Sequence, residues 1–373
     1  MGYTVADRLE VTILIDGVEF PLDTLNFLHM LHIGCSTRTR VPTCRFVIGD
    51  ARHAMDAFNL QDGIPLTITL RALGGDQRTY SFRKFNHKKS FNGECFVYDV
   101  DGYWDSPLYW AGTSTTSIRG TSDEVLKQIA ATCGLKYDGV STTDSQLWTP
   151  RNRSYAEFVK AVVARGYVNN TSYMVAGLGL DGVLRYRNVN QLPKSKLQVT
   201  LGQIVPGSYV AMDYQPVAAS GMSNKMQGYQ HTRYGQSLVN PQATDSWSQL
   251  TYVPDVTSPM LNQTISQKIV SGYRSYGGLD IGNTHPAYEQ ARYQNQRFAA
   301  LYNTAVEFLM LTPTTFNLFD KFTFAVDAEN QKSDTAYAGE YTIAAQALFV
   351  QGASFGEKIL GVRQGTNMQY KSA

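Results

Sequence analysis

Charge is scarce in this sequence, with Asp, Glu, Lys and Arg together making up 17% of 373 residues. The 33 basic and 31 acidic residues leave a formal net charge of +2, and no run of five or six like charges occurs. That excludes the concentrated basic face with which nucleic-acid binders hold phosphates. Long apolar runs are missing too, since nothing approaches the roughly 18 residues a membrane span requires. Asp7 and Arg8 lie where a secretory signal would carry its apolar stretch. A chain without a membrane anchor, assembled in a cytoplasm, is the expectation. Cysteine is also sparse: Cys35, Cys44, Cys95 and Cys133 do not make a disulfide framework in so long a chain, and a reducing compartment keeps them as thiols. Triplets such as Asn262-Gln263-Thr264 then carry no glycan. A nucleophile elbow, a phosphate loop and a His-Glu-x-x-His helix are all lacking.

What is plentiful is aromatic: 23 Tyr and 17 Phe within a 43% hydrophobic composition, a balance that suits β-structure. Tyr and Phe are enriched at buried subunit contacts while Lys and Glu are depleted there, so the composition leans toward a protein that lives inside an assembly. The length exceeds what one core organises, and several domains are expected.

Residues 9–15 alternate apolar and polar, Asp16-Gly17 supplies a turn and Val18 to Phe20 resumes, a hairpin signal. Short strands follow near 27–33, 44–48, 64–70, 79–85 and 95–100, punctuated by Gly74-Gly75, Asn92-Gly93 and Asp101-Gly102, spacing that suits an antiparallel barrel or sandwich. After Trp104 the periodicity becomes helical. Thr121 with Glu124 makes a capping box before Val125, Leu126 and Ile129; Ser154 with Glu157 makes another before Tyr155, Phe158, Val159, Val162 and Val163. A hairpin through Asp181-Gly182 completes a small α/β domain over 105–195. Strands return from Leu197 and again from Val306 to the end. Residues 236–285 are polar with weak periodicity, an irregular insertion, and 286–303 predicts the longest helix.

Four groups of residues invite a chemical reading. His29, His32, Cys35 and Cys44 offer zinc-capable side chains, but residues three apart on a strand face opposite sides and the spacing matches no standard site. Glu94, Asp99 and Asp101 supply carboxylates of the kind a glycosidase uses, yet they fall on a strand and its turn. Gly177-x-Gly179-x-x-Gly182 matches a dinucleotide fingerprint in form but leads into a strand, without the helix N-terminus that holds a pyrophosphate. Tyr209, Tyr214, Tyr229, Tyr234 and Tyr252 lack the adjoining cations of a stacking platform. The expectation is no catalytic residue, no metal site and no cofactor.

The two β-rich ends are weakly similar to each other. Leu60-Gln61-Asp62-Gly63-Ile64 matches Leu318 to Phe322 in type, Tyr80-Ser81-Phe82 matches Tyr341-Thr342-Ile343, and Ser90 to Glu94 matches Ser354 to Glu357, followed by Gly102 or Gly365. Their common order predicts one β-domain present twice.

The stretch from Trp148 through Ser154-Tyr155-Ala156-Glu157-Phe158, then Arg165-Gly166-Tyr167, Tyr173-Met174-Val175 and Asp181 to Tyr186, resembles the inserted domain of phage baseplate hub proteins. Ser223-Asn224-Lys225-Met226 and Ala338-Gly339-Glu340-Tyr341-Thr342-Ile343 resemble that family's second barrel, while 236–285 is uncovered. The family includes contractile-tail hubs and the N-terminal part of type VI secretion spikes. The resemblance implies an α+β, mainly β fold: two tail-tube-like antiparallel β-barrel domains, 1–104 and 196–235 with 286–373, and the small α/β domain 105–195. It further implies a homotrimer whose six barrels form a pseudo-sixfold ring, with the tail tube protein above, a separate spike protein below, tape-measure and other baseplate proteins as neighbours, and DNA passing through. The alternatives are the tip protein of a non-contractile tail and a tail-associated wall-degrading enzyme.

Overall fold

Alternation of apolar and polar residues at the two ends of the chain makes two sets of long strands, and the helical periodicity between them makes a separate layer. The computed structural model describes residues 9–202 apart from 38, 40, 73–76, 170–171 and 196, then 206–217, 304–310, 314–325, 337–351 and 354–363, with three short strands at Tyr3–Val5, Val256–Ser258 and Gln263–Ile265. The expected helix 286–303 lies outside the described residues, as does the insertion 236–285 except for the last two of those short strands, which pair antiparallel. Among the described residues no helix is long and apolar enough to cross a membrane.

The first unit contains β1 (Leu9–Ile15), β2 (Asn26–Ser36), β3 (Thr43–Asp50), β4 (Pro65–Ala72), β5 (Gln77–Phe91) and β6 (Phe96–Trp104), hydrogen-bonded in the order β1-β4-β5-β6-β3-β2. Alternate residues point inward: Leu9, Val11, Ile13 and Ile15 on β1 face Leu66, Ile68 and Leu70 on β4, each such burial stabilising by about 1.5–3 kcal/mol. On β2 the inward phase changes from Leu28 to Leu31 and Ile33 because His29 is the extra residue of a bulge.

The inserted domain carries α1 (Ser122–Thr132), β7 (Lys136–Asp138), α2 (Tyr155–Val163), β8 (Met174–Leu178) and β9 (Val183–Asn188). Both expected capping boxes are formed, by Thr121 with Glu124 and by Ser154 with Glu157. Phe158, Val159 and Val162 are buried as their spacing predicts, whereas Tyr155 and Val163 are only partly so. The Asp144 carboxylate accepts from the Ser122 and Tyr167 amides, tying the start of α1 to the chain that leaves α2.

The second unit contains β10 (Leu197–Leu201), β11 (Ser208–Val217), β12 (Thr304–Met310), β13 (Lys321–Ala325), β14 (Gly339–Gln351) and β15 (Ser354–Arg363). Their order is β10-β13-β14-β15-β12-β11, and β11 returns to β10, so six strands close a barrel. Strand by strand in chain order this is the order of the first unit. The first unit does not close, because β1 and β2 do not pair. There is therefore one closed barrel and one open sheet of matching strand order, where two closed barrels were expected. Nor is the barrel wholly antiparallel: β10 runs parallel to both β11 and β13, whereas β1 runs antiparallel to β4.

The correspondence extends to register. In the first unit the β5–β6 ladder slips at Phe85, between the Lys84–Gly102 and Asn86–Asp101 pairs; in the second the β14–β15 ladder slips at Ala344, just after the Ile343–Gly361 pair. The second bulge also recurs: His29 on β2 lies four residues before Ile33, which faces Cys44, and Met212 on β11 lies four before Pro216, which faces Val306. Register places Gly361, not Gly365, opposite Gly102 in the comparison. A Cβ on Gly102 would meet the Cys44 sulfur at 2.7 Å, and one on Gly361 would meet three aromatic rings at 3.0 Å, so a glycine is tightly packed at both sites. The sequence pairing was displaced: Tyr341 matches Phe82 rather than Tyr80, and Phe91 ends β5 before the turn whereas Phe355 begins β15 after it.

Candidate assembly surfaces

His32 is exposed while Cys35 and Cys44 are buried, so the zinc-capable side chains on β2 and β3 do not converge. His29 instead stacks edge-on against Phe27, ring centroids 4.3 Å apart. Burial pushes the Cys35 thiol up to about 12 and the Cys44 thiol further up, as expected of packed cysteines rather than metal ligands or nucleophiles. No group of three His, Cys, Asp or Glu side chains able to hold a metal occurs among the described residues.

The carboxylates of β6 face a cation instead of each other. Arg45 on β3 reaches Asp99 at 2.6 Å and Asp101 at 4.0 Å, and Glu94 sits in the Asn92-Gly93 turn, its amide bonded to the Asn92 side chain. Gly177, Gly179 and Gly182 belong to the β8–β9 hairpin. Gly182 takes the turn at φ 73°, and a Cβ on Gly177 would touch Leu318 at 3.0 Å. These glycines serve a turn and the contact between inserted domain and barrel. Tyr209 packs on Phe316 and shares a hydrogen bond with Thr315, and Tyr214 packs on Phe324; Tyr229, Tyr234 and Tyr252 lie outside the described residues. An open hollow beside α2 is lined by Arg153, Glu157, Lys160 and Ala161, with Glu157 already engaged in capping.

What the architecture does build is junctions. Residues Met30 to Ser36 of β2 pair antiparallel with Ala345 to Gln351 of β14, so the open sheet and the barrel share one continuous ladder. Just behind that seam lies Glu357, wholly buried, accepting from the Thr314 amide, the Thr314 hydroxyl and the Gln346 side chain. Burial raises its carboxyl above the usual carboxylate range. Sequence reasoning passed over this residue; its isolation among apolar neighbours at Phe355 and Ile359 was the available signal.

The second surface is the outer half of β5. Residues 85–91 are all exposed and include Lys88 and Lys89, with Phe85 and Phe91 at 50% and 61% exposure. The charges on the strand itself are all basic, and the acids that meet them come from other segments: Lys89 pairs with Asp56, Lys84 with Asp62 and Arg83 with Asp105. Lys89 and the Tyr98 hydroxyl hold the Asp56 carboxyl down at about 2.

With this geometry in view, the chain compares with solved structures along nearly its whole length. Its fold is that of solved tail proteins. The 43 kDa tail protein of prophage MuSo2 from Shewanella oneidensis aligns over 95% of this chain and 98% of its own, at 12% identity and a TM-score of 0.57. The tail protein from Neisseria meningitidis MC58 aligns over 97% of each chain, at 8% identity and a TM-score of 0.58. No protein-family model and no curated protein matches the sequence. At such identities the likeness is one of fold, and it includes the open sheet, the barrel and the domain between them, since little of any chain is left unmatched.

Proposed function

We propose that this chain is a structural hub of a phage tail baseplate: a homotrimer whose repeated β-units form a pseudo-sixfold ring, joining the sixfold tail tube to a separate threefold spike and letting DNA pass. The observation that carries this is the repetition of strand order and of both bulges between the first and second units. Two like units per chain turn three chains into six like positions, which lets a threefold object seat on a sixfold one. The full-length likeness in fold to two tail proteins supports the same reading. In this role the chain is not an enzyme and needs no cofactor; it works in the virion tail after assembly in the host cytoplasm. The test is mass in solution, alone and mixed with the cognate spike. Three chains of 41.5 kDa per particle, retained with one spike trimer, is the expected result, and a single-chain particle in both conditions counts against the hub.

A further inference from the structure

The repeat has a gap in it, and the gap says how one copy of the chain meets another. In the second unit, β14 is covered on one side by β13 near its start and by β2 from Ala345 to Gln351. Its residues alternate between half-buried and buried from Ala345 to Val350. In the first unit the matching strand is β5. It is covered by β4 as far as Arg83, and beyond that the same side meets no strand among the described residues, which leaves 85–91 exposed throughout. Ala344 is 9% exposed where its counterpart Phe85 is 50% exposed.

The strand that covers β14 is β2, and the counterpart of β2 is β11. β10 pairs with β11 only from Ser208 to Ala211, so the same side of β11 from Asp213 to Val217 meets no strand among the described residues. Met212, at the bulge, is 53% exposed. Among the described residues, one chain thus presents a strand side that lacks a β11 and another that lacks a β5. They cannot satisfy each other at the seam where β2 and β14 already meet.

We infer that β11 of one copy adds antiparallel to the outer half of β5 of the next, repeating between chains the β2–β14 junction found within one. Carrying the register of that junction across the repeat sets Lys88 opposite Val217, Lys89 opposite Pro216, Ser90 opposite Gln215 and Phe91 opposite Tyr214. The ladder lacks the bond that Pro216 has no N–H to give. The contact is head-to-tail, so repeated addition closes a ring if the rotation allows, and it withdraws two strand sides that would otherwise invite aggregation. Closure at three copies rests on the hub reading above; the strand pairing itself rests on the repeat.

The test uses full-length chain with Ser90→Cys and Gln215→Cys together, oxidised and run on a non-reducing gel, beside a control with Ser90→Cys and Asp213→Cys, two residues out of register. The four native cysteines are buried and stay out of the reaction. Sedimentation of the unmodified chain is measured in parallel. A three-chain particle in which the facing pair converts the monomer band to covalent dimer and trimer, with the control pair remaining monomeric, is expected. A three-chain particle whose facing pair does not cross-link overturns the pairing and leaves the hub intact; cross-linking by the control pair alone overturns the register. A single-chain particle overturns both.

Discussion

Gln346 donates its side-chain amide to Glu357 across the β14–β15 hairpin, and both residues are shut off from water. A buried carboxylate with three donors aimed at it is costly to remove, because the donors are then left without acceptors. Glu357→Leu should cost about 2–3 kcal/mol of stability, measured by urea denaturation. An unchanged midpoint would show that the site repacks freely.

The same residue gives a pH dependence of defined sign. Burial raises its folded carboxyl above the ordinary value of 4.5, so the folded state holds the proton longer than the unfolded chain does. The stability this group contributes is fully present below pH 4.5 and is lost as pH rises through the raised value. The stability of wild type relative to Glu357→Gln should therefore fall as pH climbs from about 4.5 toward neutrality. A difference that stays flat or grows over that range contradicts the assignment.

Phe308 sits at the centre of the closed barrel, with Phe324 at 4.9 Å, Phe322 at 5.1 Å and Tyr341 at 5.3 Å between ring centroids. Phe308→Ala leaves a cavity that those rings, held on the two strands β13 and β14, cannot fill. A loss of about 3–5 kcal/mol is expected, read as a lowered denaturant midpoint.

Thr121 accepts from the Glu124 amide while the Glu124 side chain accepts from the Thr121 amide. Thr121→Ala removes one half of this exchange at the start of α1, and should cost about 1 kcal/mol without altering the particle mass. A change in mass would mean that the inserted domain takes part in assembly.

All four cysteines are buried and free, and the thiols of Cys35 and Cys133 are pushed up to about 12. Reaction with a thiol reagent near pH 8 should be slow in the folded protein and reach four equivalents once it is unfolded. Chelators should leave the melting temperature unchanged, since His32 faces away from Cys35 and Cys44; a stoichiometric metal in the purified protein would contradict this.

Local patterns in the sequence were legible where local physics decides the outcome. Thr121 with Glu124 and Ser154 with Glu157 announced two helix starts, and the alternation from Leu9 to Ile15 announced an inward strand face. The bulges at His29 and Phe85 were not legible, because an extra residue in a ladder is defined by the partner strand and leaves no compositional mark. The sequence alignment of the two units drifted, by two residues at Tyr341 and by five at Phe355, because connections of different length lie between the register-locked strands. The reversed direction of β10 was equally hidden. It depends on which end of the barrel the chain reaches after leaving the inserted domain, and alternation reads the same in both directions. Glu357 escaped notice because a lone acidic residue on a strand looks like a solvent-facing one until the strands on either side are known.

The seam between β2 and β14 also bears on how the chain reaches its native state. Cys35 and Gln346 face each other across it although roughly three hundred residues of chain separate them, and contacts of such sequence separation must wait for loop closure before they add any stability. The open sheet, completed early in synthesis, must hold its β2 side unpaired until the last strands emerge. A C-terminal truncation before β14 would leave that side permanently bare, so premature termination should yield an aggregating fragment rather than a folded half-molecule.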